Sequence, residues 1–232
     1  MGTERTGTRG AGFAGLLAAQ LLGALNDNAF KISVTLMAAA LLPLDRVAQT
    51  IALAGFCFIS PLVVFSGFTG ALADKFSKKK LLVALKLAEI LLMLASFIPI
   101  YYRNLPGVMI LLFLMGTHSA LFGPVKLAII PEILEDKDLS RGNGLMSLMS
   151  FSGLILGTVS AGAIIAAVKG RYHLAVIFFT AIAALGFVAS LFVQDTEAAG
   201  PRERTDFNIF AKLASAIREV QAHLTIYRAL MA

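Results

Sequence analysis

Asn26-Asp27-Asn28 stands in the middle of an apolar stretch that runs from Phe13 to Leu42, and Gly123-Pro124-Val125-Lys126 interrupts a second apolar stretch far downstream. A formal charge deep in hydrocarbon costs at least about 2 to 3 kcal/mol, so it persists where a bundle interior, a water-filled cavity or a partner charge receives it. Asp27 and Lys126 are therefore candidate site residues. Lys126 has a defined setting: Gly116, Ser119, Gly123 and Lys126 fall on one narrow helical face at 100° per residue. Small residues on such a face permit close helix approach or leave room for a ligand. Pro124 removes one helix hydrogen bond beside the charge. An ammonium there suits a phosphate as a point charge, and snorkelling toward headgroups is the structural alternative. For Asp27, two physical readings stand side by side. Lys31 lies four residues on and can neutralise it, or the buried carboxylate can load and release a coupling proton.

The elements that must carry these residues are membrane spans. The chain is 58% hydrophobic and 15% charged, with a mean hydropathy of +0.81. About 25% charged residues is usual for a soluble domain, so lipid is the expected solvent. Six apolar stretches have spanning length: Phe13–Leu42, Ile51–Ala73, Leu81–Ile100, Val108–Leu134, Gly144–Val168 and Leu174–Val193. They are continuously apolar, which favours helices over the short alternating strands of a barrel. The first exceeds one perpendicular crossing and implies projecting turns or a tilt.

With the N-terminus in the cytoplasm, one side of the membrane receives 13 Lys and Arg residues and the other only Arg46, Arg103, Lys169 and Arg171. That bias predicts both ends cytoplasmic. The net charge of +6 then reflects topology, and nucleic-acid binding is not expected. Cys57 is the single cysteine, so no intrachain disulfide can form, and no Cys/His metal spacing or cofactor motif occurs. The expected organisation is a cytoplasmic tail over 1–12, a six-helix bundle over 13–193, a polar linker over 194–207 broken by Gly200-Pro201, and an amphipathic helix over 208–232. In that last segment Ile209, Phe210, Leu213, Ile217, Val220 and Leu224 recur at helical steps, which suits a headgroup-level or bundle-packed helix.

Further polar features read as structure. Lys86 and Glu89 form an i,i+3 pair on the third span, and His118 reads as a packing residue. Gly153, Gly157 and Ala161 make a small-residue seam on the fifth span. The chain carries no acyltransferase His-x4-Asp motif, nucleotide loop or nucleophile and base set, so no enzyme activity is expected.

Gly23 to Lys31, Ala71 to Lys78, Lys86 to Ile90, Phe122 to Lys126 and Asn143 to Met146 together resemble, in order and across most of 13–195, the N-terminal half of lysophospholipid transporters of the major facilitator superfamily. The version fused to acyltransferase and acyl-carrier-protein synthetase modules is especially similar. This resemblance implies an all-α membrane protein forming one six-helix half of a two-half carrier, with substrate bound near the midplane between the halves. It implies that Asp27 and Asn28 belong to the patch receiving a lysophospholipid headgroup, with Lys126 on the phosphate and Asn26, Lys31, Ser119 and Gly123 as secondary members. It makes Gly70, Asp74 and Lys75 part of the cytoplasmic motif between the second and third spans, although Lys75 stands where Arg is commonest and Ser77 where Gly is usual. Ser147 and Leu127 also depart from the acidic and aromatic residues frequent at those places. The implied partners are a lysophospholipid, membrane lipids, a second six-helix half and an acyltransferase or synthetase module, all at the cytoplasmic membrane. A membrane anchor for an acyltransferase and an exporter of other amphiphiles are the alternatives.

Overall fold

In the computed structural model, which describes residues 3–65 and 77–195, every long element is a helix. α1 runs over Thr3–Leu41, α2 over Leu44–Phe65, α3 over Lys78–Ala95, the short α4 over Phe97–Tyr101, α5 over Leu105–Ile133, α6 over Leu139–Val168 and α7 over Ala175–Leu191. Among the described residues, five stretches are long and apolar enough to cross a membrane: Leu44–Phe65, Lys78–Tyr101, Leu105–Ile133, Asp136–Val168 and Tyr172–Leu191. The first expected span lies inside α1. Its 39 residues cover about 58 Å at 1.5 Å per residue, but Gln20 and Asn26–Asn28 dilute its apolar run. It is packed chiefly along α6 and α7.

Helix ends differ from the hydropathy boundaries where local chemistry takes over. α1 begins at Thr3, so ten residues expected as tail continue the helix. α2 begins at Leu44, seven residues before the expected Ile51, because Pro43 stops α1 and Asp45 suits the positive end of a new helix. The third span breaks at Ser96 into α3 and α4. Pro99 cannot donate to Ala95 and its ring clashes there; Ser96 Oγ instead donates to the Met93 carbonyl at 2.5 Å. The opposite occurs in α5, which continues through both Pro124 and Pro131. Asn104 caps α5 by accepting from the Gly107 amide at 3.0 Å.

Packing is set by glycines at two crossings. A Cβ on Gly116 would lie 2.1 Å from the Phe58 carbonyl oxygen, so α2 and α5 touch backbone to side there. On α6, a Cβ on Gly153 would meet the Leu21 carbonyl oxygen at 2.7 Å, and one on Gly157 the Leu25 carbonyl oxygen at 2.4 Å. The seam of Gly153, Gly157 and Ala161 is thus buried against α1 within this bundle, as a packing face.

Two apolar clusters fill the bundle. One includes Phe30, Met37, Met93, Leu112, Met115 and Phe179, and the other Leu16, Leu82, Phe122, Ile129, Ile130 and Met146. Between them along α1, α3 and α5 lies a polar layer containing Gln20, Asn26, Asp27, Lys86, Glu89, His118 and Ser119. Outside, Phe56, Ile59 and Val63 on α2 and Phe151, Ile155 and Val159 on α6 are exposed apolar side chains. Such a surface calls for an apolar solvent or an apolar partner.

Candidate functional site

The polar layer resolves into two separate hydrogen-bonded groups. The first joins α1 to α5 through two rungs. Ser119 Oγ donates to Asp27 Oδ2 at 2.6 Å, and Lys126 Nζ donates to Gln20 Oε1 at 2.8 Å. Gln20 and Asp27 are seven residues apart on α1, and Ser119 and Lys126 are seven apart on α5, so the rungs lie on one face of each of two antiparallel helices. Asp27, Ser119 and Lys126 are all partly exposed. Between the rungs, a Cβ on Gly123 would meet nothing within 4 Å. Unlike the crowded Gly116 one helical stretch away, Gly123 faces open space, and the strip of small residues on α5 divides into a packing half and an open half.

Lys126 therefore does not snorkel along its own helix; it reaches across to α1. Asp27 does not pair with Lys31 by hydrogen bond. Lys31 Nζ instead donates to Asn28 Oδ1 at 3.0 Å and sits 5.0 Å from the centre of the Phe58 ring. Asn28 Nδ2 donates to the Ala24 carbonyl at 2.8 Å, so its side chain is committed within its own helix. Lys31 and Asn28 thus form a pair beside Asp27, leaving Asp27 Oδ2 to Ser119.

The second group is buried. Lys86 and Glu89 are 1% and 2% exposed, and Lys86 Nζ donates to Glu89 Oε2 at 2.8 Å. Asn26, fully buried, donates from Nδ2 to Glu89 Oε1 at 3.0 Å. Asn26 thus points to α3 and away from the face that carries Asp27. The expected Lys86–Glu89 pair is present and holds a second helix besides its own. His118 is also buried, with Nε2 3.0 Å from the Leu85 carbonyl oxygen, as a packing residue should be.

Gln20 is the site residue that the sequence reading missed. The signal was available: it is a lone amide in an apolar run, two turns before Asp27 on the same face. It is 5% exposed and bridges three helices, because its Nε2 donates to Ser150 Oγ on α6 at 2.8 Å. Ser147 and Asn143, near the start of α6, are exposed. Gly70, Asp74 and Lys75 lie outside the described residues, as do the amphipathic segment 208–232 and all of the linker but Gln194 and Asp195. The basic run after them is anchored at its end: Lys78 pairs with Glu132 of α5, and Lys79 with Asp195 at 3.2 Å.

The arrangement can hold a molecule with separated charges. A partly exposed ammonium and a partly exposed carboxylate flank the open space at Gly123, each tethered by a neutral group that a ligand can replace. Apolar residues surround them, so an amphiphile fits better than a fully polar solute.

Comparison with known proteins agrees with the helical architecture. The chain is 28% identical over 193 residues to the lysophospholipid transporter LplT of Yersinia enterocolitica, covering 81% of this chain and 44% of that protein. It is 27% identical over 191 residues to LplT of Serratia proteamaculans, covering 80% and 44%. The chain thus spans less than half the length of these curated relatives. A crystal structure of the peptide transporter POT superposes with a TM-score of 0.66 at 18% identity, over 94% of this chain and 46% of that one, a likeness of fold. The Major Facilitator Superfamily profile matches residues 16–232, nearly the whole chain, and with that match the chain belongs to the Major Facilitator Superfamily of membrane transporters.

Proposed function

We propose that this chain is one half of a carrier, not an enzyme, that moves lysophospholipids across the cytoplasmic membrane by alternating access. Its N-terminus lies in the cytoplasm, and a second six-helix half supplies the facing wall. The observation that carries this reading is the pair of cross-helix rungs, Asp27 with Ser119 and Lys126 with Gln20, on either side of the open space at Gly123. Similarity to two LplT proteins supports the choice of substrate.

A lysophospholipid carries a phosphate, a polar or cationic headgroup end and a single acyl chain. Lys126 exchanges the Gln20 oxygen for a phosphate oxygen, a stronger charge-assisted contact. Asp27 then attracts the amine or accepts from a hydroxyl, with Ser119 beside it. The apolar walls take the chain. Reacylation after transport gives an acyltransferase or synthetase module, fused or associated, a place as partner.

A membrane anchor for such an enzyme would have no use for a carboxylate and an ammonium held by neutral partners on one α1–α5 face, which favours the carrier. An exporter of other amphiphiles would share the opening and differ in selectivity. The test is uptake of labelled lysophosphatidylethanolamine by spheroplasts expressing the full reading frame. Lys126→Ala is expected to abolish uptake at unchanged protein level. Undiminished uptake would remove Lys126 from the site.

A further inference from the structure

Nothing in the proposed transport chemistry uses the buried ion pair on α3, yet the bundle is built around it. Four helices close on the Lys86 ammonium. Glu89 of its own helix binds it at 2.8 Å, and the Phe122 ring of α5 has its centre 4.7 Å away. A Cβ on Gly23 of α1 would stand 2.5 Å from Nζ, and one on Gly186 of α7 3.5 Å from it. The backbones of α1 and α7 are therefore bare where the ammonium sits. Replacing a buried ion pair by apolar residues is often neutral or stabilising, so stability alone is a weak reason for such a cage.

The pair touches the candidate site at two points. Glu89 accepts from Lys86 through one oxygen and from Asn26 through the other, so it links α3 to α1. Asn26 precedes Asp27, and a helix turns 100° per residue. With Gly23 and Asn26 both held against α3, α1 has one rotation, and that rotation aims Asp27 at Ser119 on α5. The second point is Phe122: Lys126 Nζ lies 5.8 Å from the centre of the same ring that Lys86 approaches at 4.7 Å. The buried cation and the partly exposed one thus share one ring.

We propose that Lys86 and Glu89 are positioning residues for the α1–α5 site, acting on Asp27 by holding Asn26 and on Lys126 through the shared Phe122 ring. The inference rests on the α1–α5 face being the substrate site, but its geometry can be tested without any substrate. Asn26, expected to touch the headgroup, becomes the link between the pair and the site.

The test uses the full-length protein with Cys57→Ala, Asp27→Cys and Ser119→Cys, in which oxidative cross-linking reports whether α1 presents position 27 to α5. To this are added Lys86→Met with Glu89→Met, which removes the charges and the acceptor, or Lys86→Met with Glu89→Gln, which removes the charges and keeps an acceptor for Asn26. Cross-linking is expected to slow about tenfold in the Met/Met protein and to stay within about threefold in the Met/Gln protein, as for loss and rescue of one orienting contact. Asn26→Ala, which leaves both charges paired, is expected to slow it like Met/Met and secures the test should that variant not fold. Equal rates in all variants, or equal loss in Met/Met and Met/Gln, would overturn the proposal. In the protein with native Asp27 and Ser119, the same changes are expected to raise KM for lysophosphatidylethanolamine uptake with little change in maximal rate. Should the unaltered protein transport no lysophospholipid while the cross-linking pattern holds, the substrate assignment fails and the positioning role stands.

Discussion

Lys126 and Gln20 show how a charge is held ready in an apolar bundle. The ammonium is partly exposed and has a neutral oxygen as partner, whereas Lys86, fully enclosed, has a carboxylate. A cation paired with a carboxylate has little to gain from an arriving phosphate; one resting on an amide has much more. Gln20→Leu is accordingly expected to leave Lys126 without its tether and to raise KM for lysophosphatidylethanolamine about threefold to tenfold, measured as initial uptake rates at matched protein level. An unchanged KM would show that Lys126 needs no placement from α1. The two charges at the centre of this face were legible in the sequence because ionisable groups in apolar runs are conspicuous. Their partners were less so. Ser119 was seen as a small residue on the Lys126 face, and Gln20 was passed over, since one neutral amide in an apolar run carries no charge to explain. Neutralisation of Asp27 by Lys31 at i,i+4 is one of the readings its spacing allows; spacing along one helix cannot reveal that a neighbour on another helix, Ser119, offers a hydroxyl at 2.6 Å.

Helix α5 carries both kinds of glycine, and they predict opposite outcomes. Gly116 on α5 and Gly153 and Gly157 on α6 lie against backbone, while Gly123 lies against nothing. Gly157→Leu would drive a side chain into the Leu25 carbonyl of α1, and is expected to lower stability by at least about 1 to 3 kcal/mol through overpacking. Gly123→Ala is expected to leave thermal unfolding of the detergent-purified protein close to that of the unaltered chain, and to reduce uptake by narrowing the space between the rungs. A large loss of stability in Gly123→Ala would show that the space is filled by packing. Hydropathy located each helix because apolar length is what a membrane demands. It misplaced the start of α2 at Ile51 because Leu44–Thr50 is mixed in polarity, although Pro43 and Asp45 marked the true start. Prolines were ambiguous for the same local reason: Pro99 breaks its helix at Ser96, while Pro124 and Pro131 are carried inside α5.

In the bundle as a whole, a polar layer lies between two apolar clusters, and the exposed surface of α2 and α6 is greasy. This is the construction expected of a half that meets lipid on one side and encloses a polar opening on another. That division was legible from six apolar stretches in order with charges inside the first, third and fourth. The Lys86–Glu89 pair was legible from its i,i+3 spacing; the cross-helix partners of Asp27 and Lys126 were not, since the α1–α5 face forms only once the helices are placed side by side. In the proposed function, the space between Asp27 and Lys126 is the seat of a single-chain phospholipid. Gly123→Cys in a Cys57→Ala background, made in the full-length protein, places a thiol at that space while keeping both charges. The thiol is expected to react with a small water-soluble maleimide and to be protected by lysophosphatidylethanolamine but not by its two-chain counterpart. A thiol that never reacts, or that reacts equally with and without the lysolipid, would contradict the account.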